Sequence, residues 1–209
     1  MLRGPLAEAG FLGHFSGHET FPLRHLWLRK AFDAVAAAKP ARRNLFTDPE
    51  AIISFGVGKN MVTSIRHWAL TCSIIEEVED IYRPTALGKF LFDLESGRDP
   101  FMESAATIWL MQWLIAGSAE RSTTWFYAFN HLSTPIFDRD AVARRIGELC
   151  AERGWRTSAA TIKRDVECFI RSYVRQQEKR PTDDALEPVL AELGLIASVG
   201  GRYFESEHQ

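Results

Sequence analysis

Little in this sequence invites an enzymatic reading. Three of its 209 residues are cysteines (Cys72, Cys150, Cys168), each isolated in a helical pattern, and no CxxC pair occurs. That excludes a zinc ribbon or a disulfide framework and leaves the thiols as small core hydrophobes in a reducing compartment. A phosphate-cradling loop is missing too, because GVGKN (56–60) lacks both the upstream glycine spacing and the Ser/Thr of a Walker motif. His14 and His18 lie four apart, but HFSGHE is not HExxH, and Ser16 and Gly17 argue against a helix between them. The longest apolar run, AATIWLMQWLIAG at 105–117, is too short for a bilayer and reads as a buried helix. The opening MLRGPLAEAGFLGHF has no continuous apolar core of the signal-peptide kind. A cytoplasmic chain with no membrane association is therefore expected. No low-complexity tract or tandem repeat is present.

Charge is present but uneven. Residues 1–138 hold 13 Lys/Arg against 15 Asp/Glu, residues 139–180 hold 11 against 6, and residues 181–209 hold 1 against 6. A basic block of net +5 inside a chain of net −2 is what a nucleic-acid footprint can look like, as can any exposed helix face. Asp165 and Glu167 point in different directions on a helix and lack a nearby lysine in nuclease order, and EEVED (76–80) reads as a solvated turn.

Helical periodicity dominates the rest. FPLRHLWLRKAFDAVAAA places Leu23, Leu26, Trp27, Lys30, Ala31 and Val35 on one face, with Pro22 suited to a first turn. KPARRN (39–44) reads as a turn. A short helix is expected from Asp48-Pro49, a longer one from Lys59, strand residues at Ile81 and Tyr82, and a helix after the N-cap Thr85. SGRDP (96–100) breaks the chain, dividing it into an N-terminal half (1–97) and a second half (98–209). The second half opens with two aromatic-rich segments. It continues with a short extended piece, a helix capped by Asp138, a helix capped by Thr157 or Ser158, a further helix in TDDALEPVLAELG, and a hairpin turning at Gly200-Gly201.

Twice, then, the chain writes helix, turn, helix and short β element. The expected fold is mainly α: two winged helix-turn-helix-like modules joined by aromatic-rich helices, with short β wings. In the first copy Met61, Val62, Ile65, Trp68, Ala69 and Cys72 form the core side. Lys59, Asn60, Thr63, Arg66 and His67 lie opposite, as candidates for phosphates and base edges. In the second, Ile162, Val166, Phe169, Ile170 and Tyr173 form the buried stripe. Thr161, Arg164, Cys168, Arg171 and Arg175 step along the other side, and Arg156 and Lys163 complete the basic set. Helical hairpins followed by strands also occur in domains that bind only protein.

FSGHETF (15–21) has two readings. Thr20-Phe21-Pro22 is a good helix entry, with His18 and Glu19 beside the first unpaired N–H groups. Alternatively, His18 and Glu19 are a general base or metal-binding pair.

The strings FSGHETFPLRHLWLRK, FGVGKNMVTSIRHW, PTALGKFLF, AATIWLMQW, TTWFYAFNHL and LAELGLI resemble a bacterial family. It was long labelled only as a domain of unknown function and is found in DNA-phosphorothioation gene clusters. The resemblance spans nearly the whole chain and is to the SspB-like component of the single-strand system. It implies a DNA nickase that prepares one strand for sulfur insertion on double-stranded DNA. It also implies a divalent metal (Mg or Mn), and sulfurtransferase-like and ATPase partners beside a cysteine desulfurase. Family members continue past LAELGLI and its hairpin, so this chain is expected to be the N-terminal part of a longer protein or a shortened form. No family catalytic motif maps onto these residues, which keeps a non-catalytic DNA-binding regulator or adaptor open as the alternative. Paired half-sites would suit a homodimer, although no heptad seam announces one.

Overall fold

Asp48, Thr85, Asp138 and Ser158 start four helices by accepting a backbone N–H, from Glu50 (2.9 Å), Gly88 (2.9 Å), Asp140 (3.0 Å) and Thr161 (3.0 Å) respectively. These caps punctuate a mainly α chain with two small three-stranded antiparallel sheets. The computed structural model describes residues 2–174, 188–200 and 203–206. The chain divides into one unit of residues 17–114 and another of residues 1–16 with 115–209. The expected break at 97/98 falls inside the first of these. SGRDP is a loop folded back on its neighbours: Arg98 N–H donates to the Phe90 carbonyl (2.9 Å) and Asp99 N–H to that of Leu91 (3.2 Å).

In the 17–114 unit, α1 (Trp27–Ala37) buries Trp27, Leu28, Ala31, Phe32 and Val35, a period-3.6 stripe. It begins five residues after the expected start at Pro22. The Phe21 carbonyl accepts from Ser64 Oγ (3.3 Å) and Trp68 Nε1 (2.9 Å), which ties the chain to α3 at that point. A turn at His25-Leu26 follows, with Leu26 in the left-handed region at φ 65° and Trp27 N–H donating to the Arg24 carbonyl (3.3 Å). The expected turn at 39–44 is confined to Lys39-Pro40, and the residues after it form a short strand, β1 (Ala41–Arg42), and a 3-10 turn over Arg43–Phe46. There follow α2 (Pro49–Phe55), α3 (Lys59–Thr71), β2 (Ile75–Val78), β3 (Ile81–Pro84) and α4 (Ala86–Phe92). The sheet order is β1-β3-β2, with Ala41 opposite Tyr82 and Glu77 opposite Tyr82 on the other side. Gly88 lets α4 lie on the Ile74 carbonyl, since a Cβ there would collide with that oxygen. α5 (Ala105–Gly117) contains the division between the units.

The other unit runs α6 (Thr123–His131), β4 (Ile136–Asp138), α7 (Arg139–Arg153), α8 (Ala159–Tyr173), a 3-10 turn at Val189–Leu193, β5 (Ile196–Gly200) and β6 (Tyr203–Ser206). Its sheet order is β4-β6-β5, again first-third-second. Trp125 and Phe129 pack on Phe169 at 5.7 and 5.9 Å between ring centroids, forming the heart of its core. The expected helix in TDDALEPVLAELG is described only as the Val189–Leu193 3-10 turn; its earlier residues lie outside the described ones. The N-terminal segment also belongs to this unit. Trp155 Nε1 donates to the Phe11 carbonyl (2.9 Å), and a Cβ on Gly13 would meet the Trp155 ring at 2.6 Å. Among the described residues, no helix is long and apolar enough to cross a membrane.

Candidate nucleic-acid interface

α7 ends at Gly154, whose φ of 67° only glycine adopts without strain, and Trp155 anchors the turn by burying its ring against Phe11 (5.6 Å) and Phe15 (6.1 Å). Ser158 then starts α8, its hydroxyl also lying 2.8 Å from that of Thr161. The stripe Ile162, Val166, Phe169, Ile170 and Tyr173 is buried as expected. Arg156, Lys163 and Arg164 are exposed and Arg171 is half-buried. Arg139 on α7 pairs with Glu167 on α8 at 2.6 Å, neutralising the carboxylate of α8 that is not buried. Cys168, expected on the open side, is instead fully buried beside the core ring of Phe169. Burial raises the Cys150 thiol to about 11 and pushes the Cys72 thiol higher still, so neither is a thiolate at neutral pH. Arg175 lies outside the described residues.

On α3 the equivalent set is less complete. Lys59 and Asn60 are exposed in the first turn, after Gly58, which offers no side-chain cap. Thr63 is half-buried and its hydroxyl turns back to the Lys59 carbonyl (3.4 Å). Arg66 is half-buried with Nη1 3.4 Å from the Tyr82 hydroxyl. His67 is buried, 6% exposed, against His18 (5.8 Å) and Trp68, and cannot reach a groove. A polar imidazole suggests the open face; its actual position is interior.

His18 and Glu19 part company. His18 is 3% exposed, stacks on Trp68 at 6.1 Å, and accepts the Thr20 N–H on Nδ1 (3.0 Å). Glu19 is exposed, with φ 46°. Neither stands at a helix start, since α1 begins at Trp27. The helix-entry reading of these two residues is therefore replaced by a tight turn locked onto α3. Among the described residues no three His, Cys, Asp or Glu side chains converge as metal ligands would.

The hairpins beside the two helices escape a reading based on helix faces, and they differ sharply. Between β2 and β3, Glu79 and Asp80 form the turn at φ 50° and 62°. Arg43 is clamped there by Glu77 (3.0 Å) and Asp80 (3.1 Å). The run of acids in EEVED is the signal that marks this hairpin in the sequence. Between β5 and β6, Val199 and Tyr203 are exposed, and Glu205 is the sole carboxylate on the two strands.

The model of the family described as "Protein of unknown function (DUF4007)" matches residues 15–209. No curated protein matches the chain by sequence. Two crystal structures of SspB do match in fold. A magnesium-bound one has a TM-score of 0.81 at 28% identity, and another has 0.77 at 29%. Each match covers 93% of this chain and 60% of the SspB chain, so this chain spans about three-fifths of the SspB length.

Proposed function

Because the chain belongs to the DUF4007 family, we propose that it is the DNA-binding part of an SspB-like component of a bacterial DNA phosphorothioate modification and defence system. In this reading both units are winged helix-turn-helix modules, α2–α3 and α7–α8 being the helical pairs and β2–β3 and β5–β6 the wings. The single observation that carries it is the repeated order of helix, strand, two helices and two strands, with the same first-third-second sheet order in each unit. The exposed Arg156, Lys163 and Arg164 on the second pair support it, since cations there would contact phosphate. Sulfurtransferase-like and ATPase proteins are its proposed partners.

Magnesium belongs to one of the SspB structures. Among the described residues no three His, Cys, Asp or Glu side chains cluster, so no residue is assigned to hold that ion and no hydrolytic step is assigned to His18 or Glu19. The nickase assignment thus rests on the family, and the non-catalytic adaptor is the second reading, favoured by the burial of His18. Duplex binding measured by fluorescence anisotropy at rising salt tests the first statement. Tight binding at low salt that weakens log-linearly is expected, and absence of binding at low salt would remove the DNA-binding reading. Conversion of supercoiled plasmid to open circle with magnesium tests the second. This chain alone is expected to bind without converting it, and conversion would restore the nickase reading for these residues.

A further inference from the structure

Resting on the DNA-binding reading, we infer that the two modules do not share the DNA: the duplex is held by the α7–α8 module alone, and the α2–α3 module makes no phosphate contact. A winged helix-turn-helix engages a duplex through its second helix and its hairpin together, so both must tolerate a phosphate backbone. The α7–α8 module meets that requirement. Lys163 and Arg164 project from the first half of α8, the carboxylate of Glu167 is taken up by Arg139, and the hairpin offers Val199 and Tyr203. Exposed apolar and aromatic side chains of that kind suit a minor groove, where they lie against sugars and base steps, and Glu205 is the one exposed carboxylate on the two described strands.

The α2–α3 module fails on the hairpin. Glu76, Glu79 and Asp80 are exposed there, Arg83 on β3 stands directly across from Glu76, and Arg43 is already held by two carboxylates. Its helix offers only Lys59 and Asn60 fully to solvent, with Arg66 directed to Tyr82 and His67 inside. Phosphates approaching that hairpin tip would meet like charge, with the cation beside it already engaged.

Anisotropy titration of a labelled mixed-sequence duplex about two helical turns long, with the full chain, separates the possibilities. Lys163→Glu/Arg164→Glu is expected to weaken binding by at least about 30-fold and to lower the salt slope by about two, one for each phosphate no longer neutralised. Lys59→Glu/Asn60→Glu is expected to leave affinity within about twofold; acids in a first helical turn are tolerated by the helix dipole, so folding is preserved. Glu79→Lys/Asp80→Lys should raise affinity at low salt only, as a new nonspecific contact. Circular dichroism melts establish that each variant is folded. Comparable losses from the α3 and α8 variants would overturn the one-module footprint while leaving DNA binding intact. An unmodified chain that binds no duplex would overturn both.

Discussion

Laid on each other with Thr71 over Ser172, helices α3 and α8 match position by position. Thr71 and Ser172 each donate a hydroxyl to the carbonyl four residues back, both at 2.9 Å. Trp68 falls on Phe169, Ile65 on Val166, His67 on Cys168 and Ser64 on Asp165, and all eight are buried. Over this stretch position, not residue type, decides what faces inward: an imidazole, a thiol, a hydroxyl and a carboxylate occupy matched interior sites. The two helices differ one turn earlier, where buried Val62 and half-buried Thr63 on one correspond to exposed Lys163 and Arg164 on the other. The architecture is repeated while the chemistry is not.

The comparison is broken most severely in the cores. Trp68→Ala and Phe169→Ala remove matched rings and should each cost about 3–5 kcal/mol, read by urea denaturation. The Trp68 variant should be the worse of the two, because it also abandons the Phe21 carbonyl that Nε1 holds at 2.9 Å. A loss below about 1 kcal/mol at either position would mean the two rings are not equivalent.

A smaller effect belongs to the loop that follows α4 in the 17–114 unit. The Asp99 carboxylate accepts the Glu103 N–H (2.9 Å) and the Ser104 N–H (3.1 Å) ahead of α5. Partial burial would raise its pKa, but hydrogen bonds from the Thr107 side chain and from the Glu103 and Ser104 backbone outweigh that and hold it below the ordinary value. A depressed folded-state pKa contributes stability above the ordinary carboxylate range, and that contribution fades as pH falls through the folded value. Asp99→Ala should therefore cost about 1–2 kcal/mol at neutral pH, by the loss of hydrogen bonds to an ionised carboxylate, with the gap from the parent chain closing on acidification. Equal gaps at pH 7 and in strong acid would show that packing, not the ionised carboxylate, matters there.

Local signals in the sequence read well. Asp48, Thr85, Asp138 and Ser158 all cap, α3 begins at Lys59, and Ile81 and Tyr82 lie in a strand, because each depends on residues a few positions away. What failed depends on partners far along the chain. The start of α1 is delayed by bonds from α3 to Phe21, and Ala41 becomes a strand residue by pairing with Tyr82. The candidate interface was half legible. Lys163, Arg164 and Arg156 stand open as their pattern predicts, whereas His67 and Cys168 belong by residue type to faces that geometry turns inward. The contrast between the hairpins depends on the clamp on Arg43, which links residues in two stretches more than thirty positions apart.

The finest test concerns the two N-caps. Ser158 sits at φ −85°, ψ 150° and bonds the Thr161 N–H, while Gly58 sits at nearly the same backbone angles, φ −64°, ψ 159°, with no side chain to do so. A Cβ on Gly58 would meet nothing within 4 Å. Gly58→Ser can therefore supply α3 with the cap that α8 already has, its hydroxyl accepting from Met61. It should stabilise by a few tenths of a kcal/mol to about 1 kcal/mol, partly through lost chain entropy in the unfolded state. Ser158→Ala should cost about 1 kcal/mol in return. Thermal melts measure both, and duplex titration of the Gly58 variant adds a second readout. With the footprint confined to the α7–α8 module, a firmer α3 leaves DNA affinity unchanged. A tighter complex would mean that the first turn of α3 touches the duplex after all.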